Sequence, residues 1–175
     1  MLIQVYQTSW VDNFRKIKAV LEETLQPLNV SIEHVGSTAV PHLAAKPIID
    51  IDIIYDENTA FEDIKIGLEK RSYFHNGNQG ISNRDVFKRD KMLVLHPVLD
   101  EIVHHLYVCL SGSEAVQRHI LLRDYLLENE DARVYYQNLK YAIAEEVHQD
   151  KKHYAALKEV KTKDFIDGII EKGKK

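Results

Sequence analysis

The chemistry of this chain concentrates between residues 36 and 52, which read GSTAVPHLAAKPIIDID. Asp50 and Asp52 stand two apart in a β-branched run, Pro47 to Tyr55, which predicts a buried strand. Side chains alternate faces along a strand, so both carboxylates share one face while Ile49, Ile51 and Ile53 share the other. Adjacent carboxylates repel, and each raises the other's pKa unless a cation lies between them. A hard divalent ion with oxygen ligands, Mg²⁺ or Mn²⁺, resolves that conflict, and substrate phosphates commonly complete its shell. Upstream, Gly36 and Ser37 follow a strand-like run, and twelve residues separate Ser37 from Asp50. A Gly-Ser turn offers N–H groups and a hydroxyl to a phosphate with no Cβ in the way. A D-x-D pair alone is often a solvated strand face, and most Gly-Ser turns are only turns. Together, on consecutive predicted strands, they describe a site for a nucleoside triphosphate, or a related small phosphorylated molecule, with a metal at Asp50 and Asp52.

Other residues extend this site, each with a plainer reading beside it. His105 fits a metal or phosphate ligand or a general base near neutral pH, and equally a hydrogen-bonded strand histidine. Lys46, one residue before Pro47, fits a phosphate contact. Arg84, Lys88 and Arg89 could clamp a triphosphate, with Arg89 the best placed and Lys88 closer to a plain surface charge. Arg123 and Asp124 read as a structural ion pair. His34 and His42 flank the Gly-Ser turn and read as structural. Tyr125, Tyr135 and Tyr136 read as helix packing.

The positioning elements follow from periodicity and breakers. Val11, Phe14, Ile17, Leu21 and Leu25 share a helical face that starts near Ser9 and stops at Pro27. Val30 to Val35 is strand-like. Thr59 with Glu62 predicts a capping box for a second helix to about Arg71. His75 to Asn83 reads as a loop rich in Gly and Asn. Asp85–Arg89 and Met92–Leu95 are short strand candidates, and His104–Leu110 is a further strand. Ser111 with Glu114 fits the N-cap of a helical, charged second part, residues 111–175. Breaks near Asn129–Asp131 and His148–Lys152 divide it into about three helices packed on the first part.

Composition narrows the function classes. The 175 residues are 45% hydrophobic, with nine Tyr, five Phe and one Trp, which excludes a mainly disordered chain. A net charge of −4 argues against nucleic-acid binding carried mainly by phosphate neutralisation. Cys109 is the single cysteine, so an intrachain disulfide and a cysteine-only zinc site are excluded. No apolar run approaches the roughly 18 residues of a membrane span, and residues 1–7 lack a secretory pattern, so a cytoplasmic protein is the expectation.

The run from His34 through Asp52 resembles the signature of the GrpB family, placed in the nucleotidyltransferase superfamily. That superfamily's pattern is a Gly-Ser turn followed by an acid–x–acid strand. Tyr6, Trp10, Phe14 and Leu21 are similar to the family's N-terminal helix. Leu122 to Leu126, Tyr136, Leu139, Lys140, Tyr154, Lys158 and Phe165 are similar to its C-terminal helices. The resemblance implies an α+β fold with a small mixed sheet and C-terminal helices on it. It implies one domain over residues 1–175, with a sheet-containing core at 1–110. It implies a metal-dependent nucleotidyl transfer in which Gly36 and Ser37 seat the β- and γ-phosphates and an acceptor hydroxyl attacks the α-phosphorus. A similar domain fused behind dephospho-CoA kinase in some bacteria suggests the alternative, a catalytically weak nucleotide- or CoA-metabolite-binding module. The superfamily usually carries a third carboxylate on a later strand, where GrpB-like chains tend to read His-x-His. Here that strand reads His105-Leu106-Tyr107, and Asp100 and Glu101 precede it. Two acids and a histidine imply one metal ion and slow transfer.

Overall fold

The computed structural model describes residues 1–90, 92 and 95–173. Six helices and five strands run in the order α1 (Ser9–Leu25), β1 (Val30–Val35), β2 (Ile49–Tyr55), α2 (Phe61–Glu69), β3 (Tyr73–His75), β4 (Arg84–Arg89), α3 (Pro97–Glu101), β5 (His104–Leu110), α4 (Glu114–Glu128), α5 (Glu130–Glu146) and α6 (Lys151–Gly173) among the described residues. The strands form one mixed sheet in the order β1-β2-β5-β4-β3. Only β2 and β5 are parallel, and the other three pairings are antiparallel. The fold is therefore α+β, as the sequence implied. No helix of the described residues is long and apolar enough to cross a membrane.

The isoleucine face of β2 builds the main core. Ile49, Ile51 and Ile53 join Ile32, Phe87, Leu106 and Val108 beneath Ile17, Leu21 and Leu25 of α1 and Ile64 and Leu68 of α2. The apolar stripe predicted for α1 is the stripe that faces this layer. Register places Asp50 beside His105 and Asp52 beside Tyr107 on β5, so these four side chains share the opposite face. The helices α4–α6 lie over that face and pack on one another, with α4 touching β1 and β5. Val40 and Leu43, which follow the Gly-Ser turn, pack against Leu126 of α4 and Tyr136 of α5. Leu2, Ile3 and Ala44 pack against Ile143, Ala144 and Tyr154. The turn is thus wedged between sheet and helices.

Several boundaries differ from the sequence expectation for identifiable reasons. Thr59 does not cap α2, because its hydroxyl donates to the Asn29 carbonyl at 3.1 Å and ties the loop to the start of β1. The cap of α4 is Ser113 rather than Ser111, with Oγ accepting from Val116 N. His75 belongs to β3, a three-residue edge strand too short for a period-2 signal, and pairs with Phe87. The helix α3 has only five residues and carries no periodicity either. The strand expected at Met92–Leu95 falls on residues 93 and 94, outside the described residues.

Ile51 has no exposed surface and sits at the centre of the core layer. Ile51→Ala should therefore destabilise the protein by about 2–5 kcal/mol, read as a shift of the urea unfolding midpoint. A loss below about 1 kcal/mol would place the core elsewhere.

Candidate functional site

Between the acid face of the sheet and the helices lies a cleft of about 540 Å³. Gly36, Ser37, Lys46, Asp50, Arg84 and His105 line it, together with residues of α4 and α6. The structure thus brings together Gly36, Ser37, Lys46, Asp50 and His105 as the sequence expected. Asp52 lies deeper and has no exposed surface.

The Gly-Ser turn is shaped by its acid neighbour. Gly36 has φ +71° and ψ −170°, a conformation essentially reserved for glycine. A Cβ at this position would lie 2.5 Å from Asp50 Oδ2. The sequence reading attributed the missing Cβ to phosphate approach, but the group already pressed against Gly36 is the Asp50 carboxylate. Ser37 to Ala39 then form a short 3₁₀ turn. Thr38 Oγ1 donates to the Ile48 carbonyl at 3.3 Å, fastening the turn to the entry of β2. His34 stacks on Phe14 with ring centroids 4.6 Å apart and bonds Thr38 at 3.0 Å. Burial pushes its pKa down to about 4, so His34 is a neutral, structural histidine.

Each carboxylate has a histidine. His105 Nδ1 lies 2.9 Å from Asp50 Oδ1, and His119 Nδ1 lies 2.8 Å from Asp52 Oδ2. Both ring nitrogens donate, since an ionised carboxylate only accepts. The second oxygen of Asp52, Oδ1, is buried and has no hydrogen-bond partner. An orphaned carboxylate oxygen beside a second carboxylate fits one hard cation, with phosphate oxygens or water supplying the rest of its shell. A second ion does not fit as well. Tyr107 stands beside Asp52 where a further acid would be needed, and no group of three or more His, Cys, Asp or Glu among the described residues is arranged to hold a metal.

The cleft walls are basic. Arg84 of β4 places its guanidinium 5.0 Å from the Tyr107 ring centroid. Arg118 pairs with Asp167, and Arg123 pairs with Glu33 and Asp124. Lys46 lies over the Tyr154 ring at 4.1 Å. Tyr136, followed by Tyr154 and Asp50, holds the Lys158 ammonium above its ordinary pKa. Behind the turn, Lys140 is only 2% exposed and donates to Ser37 Oγ at 3.1 Å and to the Ala44 carbonyl. Burial pushes its pKa well down, and the Lys158 ammonium adds to the effect.

Arg89 is the exception among the expected site residues. It belongs to the opposite edge of the sheet, where it is nearly buried and pairs with Asp100 at 2.8 Å. It also donates to the Arg71 carbonyl. Its strand is the predicted one, but its face is not. Side-chain alternation on β4 sends Arg84 to the acid side and Arg89 to the other. Asp100 is held in this pair and is not a third acid of the cleft.

Sequence reasoning missed His119, Lys140 and Lys158 as site residues. A signal existed. His119 with Leu122, Arg123 and Leu126 falls at i, i+3, i+4 and i+7 on α4. Tyr136, Lys140, Ile143 and Ala144 fall at i, i+4, i+7 and i+8 on α5 and are all buried, and Tyr154, Lys158 and Thr162 form a stripe on α6. Each packed stripe carries a basic side chain, and that of α4 carries two, His119 and Arg123. That placement is a stronger hint than the residue type.

Comparison with known proteins places this geometry. The family model described as GrpB protein matches residues 1–172. The chain belongs to the GrpB family. It is 30% identical over 142 residues to the UPF0157 protein YqkA of Bacillus subtilis, covering 81% of this chain and 39% of that one. This GrpB-family chain thus spans well under half the length of that relative. A crystal structure of conserved protein GrpB from Enterococcus faecalis superimposes with a TM-score of 0.77 at 27% identity, covering 97% of this chain and 95% of that one. A Cid1 poly(U) polymerase structure with MgGTP bound matches with a TM-score of 0.56 at 11% identity, over 82% of this chain and 44% of that one. At that identity the likeness establishes a shared nucleotidyltransferase-type fold.

Two variants test the site geometry. Gly36→Ala should destabilise the protein by about 1–3 kcal/mol, because the new Cβ meets Asp50 in a glycine-only conformation. Wild-type thermal stability in Gly36→Ala would show that the turn relaxes freely. His119→Ala should cost about 1–3 kcal/mol by leaving Asp52 without a partner, and most of that should return in the His119→Ala/Asp52→Asn double variant. Additive losses in denaturant unfolding would mean the pair does not interact.

Proposed function

We propose that the cleft binds a nucleoside triphosphate, or a related small phosphorylated molecule, with Mg²⁺ or Mn²⁺, and transfers its nucleotidyl group to an acceptor. The observation that carries this reading is the placement of Asp50 against Gly36–Ser37, beside Asp52, inside a cleft of otherwise basic character. The nucleotidyltransferase-type fold supports it. In this reading Asp50 and Asp52 hold the ion, and Gly36, Ser37 and Lys46 contact the β- and γ-phosphates. The ion would supply positive charge against the phosphate that is transferred. The acceptor oxygen forms a bond to the α-phosphorus, the bond from that phosphorus to the bridging oxygen breaks, and pyrophosphate leaves. His105, whose Nδ1 is held by Asp50, takes the acceptor's proton at its other ring nitrogen. Rate enhancement is then mostly electrostatic.

One observation favours a second reading, a binding module with little or no transfer. Tyr107 stands beside Asp52 on β5, so that strand supplies no acid, and Glu33, opposite Asp52 on β1, is held by Arg123. Burial, with the nearby Asp50 carboxylate adding, holds the Tyr107 phenol well above its ordinary pKa. It stays neutral and brings no charge to a metal. Incubation with labelled nucleoside triphosphates and a panel of hydroxyl-bearing acceptors separates the readings: transfer releases pyrophosphate, whereas a module binds nucleotide and releases none.

Both readings require the acids. Asp50→Asn and Asp52→Asn should each remove the Mg²⁺-dependent part of nucleotide affinity in calorimetry while leaving the fold intact by circular dichroism. Wild-type Mg²⁺ dependence in both variants would exclude a metal at these residues.

A further inference from the structure

The carboxylates that line this cleft, Asp50 and Glu159, are outnumbered by its lysines and arginines. Asp50 and Asp52 each accept from a histidine. Lys46 and Lys158 line the same cleft as Gly36, Ser37 and Asp50, and neither forms an ion pair with a carboxylate among the described residues. Lys46 sits on the face of the Tyr154 ring, and Lys158 lines the cleft with Tyr136. Two ammonium groups in one pocket repel, and an anion between them removes that repulsion. Burial and then the Lys158 and Lys151 charges lower the Lys46 pKa.

The Gly-Ser turn brings a third lysine to the cleft from behind. Lys140 Nζ donates to Ser37 Oγ, which leaves the serine's own proton free to bond a ligand oxygen. A phosphate seated on the turn would then meet Ser37 directly and the Lys140 nitrogen through it. Further phosphates in the cleft would meet Lys46 and Lys158.

We propose that this cleft holds the polyphosphate of its ligand on Lys46, Lys158 and the Lys140–Ser37 pair, so that binding does not require a divalent ion. The inference rests on the reading of the cleft as a phosphate site, and it assigns to Lys158, which faces Asp50, the counter-charge that a second metal would otherwise bring. The ligand class is a linear di- or triphosphate, free or carried by a nucleoside.

The test is calorimetric titration of inorganic tripolyphosphate, and separately of ATP, into the protein in excess EDTA and again in Mg²⁺. Binding is expected in EDTA, weakened by about tenfold or more in Lys46→Met and in Lys158→Met. Lys152→Met, an exposed charge outside the cleft, should bind like the parent. Circular dichroism identifies any variant that fails to fold, and either lysine variant suffices. Binding only in the presence of Mg²⁺ would overturn this inference and leave the proposed function standing. Binding in EDTA that ignores both lysine substitutions would overturn the assignment to these residues. Absence of binding in both conditions would overturn the phosphate reading itself.

Discussion

Asp52 is a carboxylate with no exposed surface, set in a sheet whose reverse side is packed isoleucine, and a hydrogen bond from His119 satisfies one of its two oxygens. A charge in that position is tolerated only if neighbours supply opposite charge or hydrogen bonds. Asp50, one pleat away, sharpens the demand, because two like charges on one face repel. Much of the architecture answers this pair. His105 and His119 each orient one acid, and Lys158 of α6 faces Asp50. Gly36 is glycine because the Asp50 carboxylate occupies the space a Cβ would need.

The helical part is therefore more than a cover. The helices α4, α5 and α6 direct basic side chains toward that face, among them His119, Arg123, Lys140 and Lys158. These contacts span the chain: His119 reaches back 67 residues to Asp52, and Lys140 reaches back 103 residues to Ser37. Packing of Val40, Leu43 and Ala44 against Leu126, Tyr136 and Ile143 fixes the helices at the height where those bases meet the acid face. Core packing and site assembly are thus one event, and loosening the helices would strip the acids of partners as well as apolar contacts.

The two faces of β2 divide labour cleanly. The isoleucines pack the α1–α2 layer, and the aspartates face the helices α4–α6 and the cleft. Strand alternation keeps the two roles one residue apart without mixing them. The same alternation on β4 separates Arg84, at the cleft, from Arg89, which is taken up by Asp100.

Local rules made part of this molecule legible from the chain alone. The bounds of β1 and β5, the acid face of β2, the α1 stripe and the Gly36 turn all follow from period, β-branching and glycine geometry, because each depends on neighbours within a few residues. The GrpB signature added the mixed sheet and the placement of helices on it. Thr59, Ser111 and Arg89 read differently in three dimensions, since Asn29, Val116 and Asp100 compete for or redirect their hydrogen bonds. The basic wall of the cleft was settled only by tertiary structure. On their helices His119, Lys140 and Lys158 are marked only by standing in a packed stripe, which does not say what they meet. Their placement comes from helix packing that brings them to carboxylates and a turn far away in sequence, where low dielectric and close approach strengthen each polar contact.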